Sequence, residues 1–226
     1  MRDGKGAPLT RERILAAALD IVDREGVDGL SIRRLGARLR VNGVSLYYHF
    51  SSKTEILDCL VAEVMRGVDL APEERRWPVR LRRIHVSLRE ALLSHPNLLP
   101  VAVTRPYNTP EAVAVSEAVL ETLLRAGFAP DAALDAFNSL RAFVIGSALC
   151  ETAGLLGEPP TWNNRDRMTL QEIGEHGFTN VLHVIPAAAV ADHGRMFLAG
   201  LDTIISGLEA RLSGEAGLAS GSGAAG

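Results

Sequence analysis

The sequence predicts an all-α protein of about nine to ten helices in two domains: an N-terminal three-helix head built on a helix-turn-helix, and a C-terminal helical body. Three observations carry this. Apolar residues recur at the 3, 4, 7 spacing of one helix face along most of the chain. Ala, Leu and Arg are abundant while aromatic residues make up only 5%, a bias toward helix over sheet. Residues 10–70 are cut by glycines and capping hydroxyls into short amphipathic pieces, two of them separated by only a few residues.

At 226 residues, 47% of them hydrophobic and 23% charged, the chain is ample to bury a core and is expected to be globular. Cys59 and Cys150 lie far apart with no metal-ligand spacing, so they read as reduced core thiols. No stretch approaches ~20 uninterrupted apolar residues, and Met1–Thr10 lacks a signal-peptide apolar region. A cytoplasmic location and no membrane partner are therefore expected. The net charge of −3 hides an asymmetry: residues 1–53 carry +4 and the remainder −7. A basic head on an acidic body points to a polyanionic partner for the first quarter of the chain.

In the head, Thr10 can cap a helix to Glu25 with Ile14, Ala17, Ala18, Ile21 and Val22 on one face, and Gly26 stops it. Ser31 caps a short helix with Ile32, Leu35 and Leu39 inward. After Arg40-Val41-Asn42-Gly43 a second short helix, 44–50, turns Leu46 and Phe50 inward. Ser52 and Glu55 have the capping-box pattern, each expected to satisfy the other's backbone donor. The helix they open carries Ile56, Leu57, Leu60, Val61, Val64 and Val68, and runs as a connector over 53–70 before Pro72.

Two short helices joined by a tight turn form a helix-turn-helix, and the second is narrow enough for the ~12 Å major groove. Generic helix packing gives the same outline, so the side chains must decide. On 44–50, Ser45, Tyr47, Tyr48 and His49 fill the circumference left by Leu46 and Phe50, with Asn42, Gly43 and Val44 at the N-terminal edge. A surface helix has little structural reason to expose two tyrosines and a histidine in five residues. Their phenol and imidazole groups suit hydrogen bonds to phosphates and base edges. His49 alone has a second reading as a packed, hydrogen-bonded residue. Gly43 lets backbone approach phosphate, and the helix N-terminus adds partial positive charge. Arg33 and Lys53 would complete a clamp on the backbone.

The run Gly29-Leu30-Ser31-Ile32-Arg33-Arg34-Leu35, then Val41, then Ser45-Leu46-Tyr47-Tyr48-His49-Phe50, followed by Lys53 and Leu57, resembles the DNA-binding domain of the tetracycline-repressor family. The match runs without a gap from Leu9 to Met65. It implies double-stranded operator DNA as partner, with Ser31, Gly43, Ser45, Tyr47, Tyr48, His49 and Lys53 at contact positions. Arg33 falls where the tetracycline repressor reads a base with arginine. Arg40 departs from the family's usual glycine: it is either strained at positive φ or an added phosphate contact.

The body reads as helices over 79–93 (ended by His95-Pro96), 113–125 (closed by Gly127), 130–153 and 192–212, with a loop over 154–177 and a short apolar piece over 181–185. From Ser213 the composition turns Gly/Ala/Ser-rich, and 213–226 is expected to be a disordered tail. Trp77, Leu92–Pro96, Thr104-Arg105-Pro106, Ala126-Gly127-Phe128 and Phe197–Asp202 are similar to the family's C-terminal domain over roughly 77–212, and a ligand-sensing and dimerising domain is expected over 71–212. The resemblance implies a homodimer through 130–153 and 192–212, where Gly146, Ser147, Ala148, Gly200, Ser206 and Gly207 suit close packing. The alternative is that these helices pack only within one chain. It also implies a small-molecule effector, its pocket lined by Ile84, Leu88, Val101, Thr104, Arg105, Pro106, Glu117, Leu134, Phe137, Asn138, Arg141 and Cys150.

Two departures bear on that effector. Val101 or Ala102 stands where the tetracycline repressor has its magnesium-binding histidine, and Cys150 where it has a nearby glutamate, with Glu151 turned about 100° around the helix. A hard cation wants oxygen or imidazole ligands, so the expectation is an apolar effector with no metal or cofactor. Catalysis is not expected, because no nucleophile elbow, phosphate loop or paired-histidine helix face occurs. The expected function is a ligand-released repressor. The alternative is a helix-turn-helix protein that acts without ligand or as an activator.

Overall fold

A computed structural model of the chain describes residues 8–104, 109–153, 170–188 and 192–221. Among these residues there are eleven α-helical segments, one 3-10 turn and no strand, which is the all-α class the periodicity requires. The chain divides into two compact units: Met1–Leu70 with Glu90–Ala118, and Ala71–Arg89 with Val119–Gly226.

In the first unit, α1 (Arg11–Gly29) starts where Thr10 Oγ1 accepts a hydrogen bond from the Arg13 amide, 3.3 Å. It buries Ile14, Ala18, Ile21 and Val22, while Ala17 is half-buried. Gly26, at φ 74 and ψ 175, breaks the helical run where the sequence reading ends it, and one further turn reaches Gly29. Ser31 Oγ accepts from the Arg34 amide, 3.2 Å, to open α2 (Ile32–Leu39), which buries Leu35.

α2 ends in a complete Schellman motif. The Val41 amide donates to the Gly36 carbonyl, 2.9 Å, and the Arg40 amide to the Ala37 carbonyl, 3.2 Å. This places Arg40 at φ 57 and ψ 42, the left-handed region. Arg40 thus occupies a glycine conformation, as the first of its two readings has it, with its side chain exposed. A Cβ on Gly36 would lie 3.0 Å from the Val41 carbonyl oxygen, so the tightness of this turn depends on glycine at 36.

α3 (Gly43–Tyr47) is shorter than the expected 44–50. Asn42 caps it through Oδ1 to the Val44 amide, 3.1 Å, and the chain leaves it by bonds from the His49 and Phe50 amides to the Leu46 carbonyl. Leu46 and Phe50 are buried as expected. α4 (Lys53–Arg66) is capped by Ser52 Oγ on the Glu55 amide, 3.1 Å. The reciprocal half of the capping box differs. Glu55 Oε2 reaches one residue further back, to the Ser51 amide and hydroxyl at 2.7 and 2.8 Å. α4 also stops at Arg66 rather than 70: Gly67 caps it and Val68 turns into the core.

The first unit is completed by Glu90–Ala118. It holds the end of α5 (Trp77–Ser94), a 3-10 turn at Pro96–Leu98, α6 (Leu99–Thr104) and the start of α7 (Pro110–Ala126). The 3-10 turn packs on α1 and α6 packs on α4, burying Leu98, Leu99 and Val101. The sequence division at 71 thus cuts differently from the compact units.

In the second unit, α7 closes on Gly127 (φ 105) with a second Schellman pair, Phe128 to Leu123 and Gly127 to Leu124. Trp77 meets Phe128 edge to face with centroids 5.6 Å apart. α8 (Pro130–Thr152) and α11 (His193–Gly221) pack together, burying Phe137, Leu140, Val144, Phe197, Leu201 and Ile205. A Cβ on Gly200 would meet the Phe143 ring at 2.5 Å, whereas one on Gly146 or Gly207 would face open space. Of the small residues expected to allow close packing, Gly200 is used within the chain.

α8 is long and apolar enough to cross a membrane by length and composition, at mean hydropathy 1.2; one face of it is core. Two short helices, α9 (Leu170–Glu175) and α10 (Thr179–Ala188), fall in the stretch read as loop and short apolar piece. Residues 154–169 of the expected loop lie outside the described residues. In the stretch expected to be a disordered tail, α11 extends to Gly221, and residues 222–226 lie outside the described residues. Extending a formed helix adds one hydrogen bond per residue fixed, and no proline interrupts Ser213–Gly221.

Candidate nucleic-acid interface

The geometry of α3 follows from its two anchors. Leu46 at 0% and Phe50 at 1% exposure are held by the head core, which forces the intervening residues outward. Val44, Tyr47 and Tyr48 stand 60%, 57% and 86% exposed, three large apolar surfaces on one five-residue helix and its cap. Neither phenol has a hydrogen-bond partner among the described residues, and neither does the half-buried His49 ring. The packed, hydrogen-bonded alternative for His49 therefore does not describe its imidazole. Ser45 is half-buried beside them. A Cβ on Gly43 would make only ordinary contact with Ile32, 3.5 Å, so nothing inside the head demands glycine there.

Most cations of the head are committed internally. Arg34 pairs with Glu25 (2.5 Å), Arg24 with Asp20 (2.9 Å) and Arg38 with Asp20. Arg33 and Arg40 are exposed and have no carboxylate or hydrogen-bond partner among the described residues. Lys53 Nζ donates to the Val27 carbonyl, 2.8 Å, which fixes the ammonium but leaves its charge and two donors uncompensated. Ser31 and Asn42 spend their oxygens on helix caps, and the Ser31 hydroxyl proton and the Asn42 amide have no acceptor among the described residues. The surface around α3 thus combines unpaired donors and positive charge with apolar contact area, as recognition of a charged, base-bearing groove requires.

One residue central to this surface was not singled out in the sequence. Arg11, in the first turn of α1, donates to the His49 carbonyl, covers the Phe50 ring with its guanidinium 4.1 Å from the centroid, and pairs with Glu55 at 3.2 Å. It joins the exit of α3 to α1 and α4. The bonds to the Ser51 amide and hydroxyl, then Arg11, hold the Glu55 carboxyl below the usual carboxylate range. No local pattern could have found Arg11, whose partners lie 38 and 44 residues away.

The residues expected to line an effector pocket divide between the units. Ile84 and Phe137 are buried in the second unit, with Leu88, Arg141 and Cys150 half-buried and Leu134 and Asn138 exposed. Arg141 lies over the Phe137 ring, 5.7 Å. In the first unit Val101 is buried and Thr104 and Glu117 are exposed. Val101 and Thr104 line an open cavity of about 590 Å³ with Gly26, Val27, Leu57 and Asn97. Arg105 and Pro106 lie outside the described residues. His85, buried beside Ile84, donates from Nδ1 to the Leu81 carbonyl at 2.7 Å, and burial pushes its pKa down to about 4.

A three-helix head that presents a short recognition helix, followed by a helical body, is the architecture of a helix-turn-helix transcriptional regulator. Residues 14–60 match "Bacterial regulatory proteins, tetR family" and residues 71–212 match "Tetracyclin repressor-like, C-terminal domain". The chain belongs to the tetR family of bacterial transcriptional regulators, whose members pair a helix-turn-helix DNA-binding domain with a ligand-binding domain. An HTH-type transcriptional regulator of Saccharopolyspora erythraea is 35% identical over 74% of this chain and 69% of its own length. The tetracycline repressor protein class G of Vibrio anguillarum is 31% identical over 89% of this chain and 94% of its own. Among solved structures, apo ActR of Streptomyces coelicolor is 32% identical, covers 93% of this chain and 99% of its own, and superposes with a TM-score of 0.78. The same protein in complex with actinorhodin gives 0.72 at 30% identity, covering 91% and 99%.

Proposed function

We propose that this chain is a ligand-released repressor that binds a palindromic operator as a homodimer. The observation that carries the reading is the outward set Val44, Tyr47 and Tyr48, held by buried Leu46 and Phe50 and bordered by the unpaired Arg33 and Arg40. Ser31, Asn42, Gly43, Ser45, His49 and Lys53 complete the DNA contacts. One head reads few base pairs, so a two-fold dimer presents two α3 helices about one DNA turn (~34–36 Å) apart. The pairing runs through α8 and α11, over 130–153 and 192–212. Leu134 and Leu149 of α8 and Met196 of α11 are exposed, and Gly146 and Gly207 face open space; both features support it. Acting on DNA, the protein works in the cytoplasm.

The effector is an apolar molecule held without metal. Val101 is buried and aliphatic, and Cys150 offers a soft thiol; neither supplies the hard donors magnesium wants. That the related ActR is solved with actinorhodin supports a non-tetracycline ligand. Effector binding favours a head separation that no longer fits the operator, and reciprocity requires DNA to weaken effector binding by the same factor.

The test is a footprint on the DNA upstream of the chain's own coding region, with wild type and Tyr47→Phe. A protected palindrome that weakens in the variant is expected. No protection, or an unchanged footprint, overturns the assignment of Tyr47. Titration with tetracycline, with and without magnesium, tests the effector: tight magnesium-dependent binding would refute the metal-free pocket.

A further inference from the structure

α1 leaves helical geometry at Gly26, φ 74 and ψ 175. The carbonyls four and three residues before this break receive hydrogen bonds from a different part of the chain. The Asn97 side-chain amide donates to the Val22 and Asp23 carbonyls, each at 3.0 Å, across 75 and 74 residues. Beside it, His95 Nδ1 lies 3.0 and 3.1 Å from the two carboxylate oxygens of Asp23. Asn97 sits in the 3-10 turn that leads directly into α6, where Leu98 and Leu99 are buried. It also borders the cavity of about 590 Å³ shared by Gly26 and Val27 with Val101 and Thr104.

We infer that Asn97, supported by His95, is the positioning residue that couples α6 to the DNA-binding head, by tying its side-chain amide to the Val22 and Asp23 carbonyls just before the break of α1. This rests on the reading of Val101 and Thr104 as effector contacts and of α3 as the DNA contact. One NH2 group makes two bonds to two adjacent carbonyls, so a displacement of α6 cannot leave α1 in place without freeing both. α1 in turn holds the exit of α3 through Arg11. The route from α6 to α3 therefore runs through two polar contacts, one at each end of α1.

The experiment reads the coupling from the DNA side, since linkage is reciprocal. The probe is a duplex selected from random DNA for binding to the wild-type protein, and the readout is amide hydrogen exchange with and without it. Protection of 31–49 reports that DNA is held. A change over 95–104 reports that α6 feels it. Wild type is expected to show both, with the change over 95–104 on the order of fivefold or more. Asn97→Asp is nearly isosteric but turns a carboxylate toward two carbonyls and Asp23. Asn97→Leu keeps the size without donors. Both variants should retain protection of 31–49 and lose the change over 95–104. A wild-type change over 95–104 in both variants would overturn the inference while leaving the DNA reading intact.

Discussion

Replacing Arg40 with glycine should make the protein more stable while weakening its hold on DNA, two effects that point in opposite directions from one side chain. Arg40 sits at φ 57 and ψ 42 because the Schellman bonds from its own amide and that of Val41 demand it. An L residue in that region costs roughly 1–2 kcal/mol. Glycine avoids this cost but loses roughly 0.5–1 kcal/mol through its greater freedom in the unfolded chain. The net gain for R40G is then roughly 0–1.5 kcal/mol, or up to ~6 °C in Tm for a chain of this size. Arg40 also has no carboxylate or hydrogen-bond partner among the described residues. If it meets a phosphate, its loss should reduce the slope of log affinity against log salt by about 1. Alanine separates the two causes, because R40A removes the charge yet keeps the Cβ. Thermal unfolding should show stabilisation in R40G and none in R40A, while both should share the shallower salt slope. A lower Tm in R40G than in R40A would refute the strain argument, and unchanged slopes in both would remove Arg40 from the DNA contacts.

Two further outcomes follow from buried and bridging groups. His85 has a folded-state pKa of about 4 against an ordinary 6.5. The unfolded chain thus takes up the proton first, and stability present above pH 6.5 is lost as pH falls toward 4, by about 3 kcal/mol at most. Denaturant midpoints at pH 7.5 and 4.5 should therefore differ less in His85→Leu than in wild type; an equal difference would show that His85 is not the titrating group. Arg11→Ala should lower operator affinity several-fold with a Tm loss of a few degrees, because it frees the exit of α3 without touching the outward face. Unchanged affinity in a gel-shift titration would relieve Arg11 of its positioning role.

The parts of the head readable in advance are those fixed by local chemistry. Thr10, Ser31 and Ser52 cap the helices they were expected to cap, since a hydroxyl three residues before a free amide needs no tertiary information. Leu46 and Phe50 face inward because a four-residue spacing leaves little choice on a helix. Features set by distant partners were not readable. Glu55 turns to Ser51 and Arg11 rather than to Ser52. α4 ends at Arg66 because Val68 finds a place in the core, although its apolar stripe continues in sequence. α6 escaped notice because it spans only six residues and contains Pro100. The effector-pocket residues were named through resemblance, and the departures at Val101 and Cys150 emerge only against relatives; residue patterning alone marks neither.

The packing of Glu90–Ala118 with residues 1–70 bears on how such regulators can be recombined. A chimera joined at residue 70 would place one parent's 3-10 turn and α6 against another parent's α1. Asn97 would then meet a helix end with which it did not evolve. Exchange of sensing specificity between relatives should therefore carry the α1 surface around Val22–Val27 along with the body, or keep 90–118 from the parent that supplies the head. In this chain, the portable unit of DNA recognition is discontinuous in sequence.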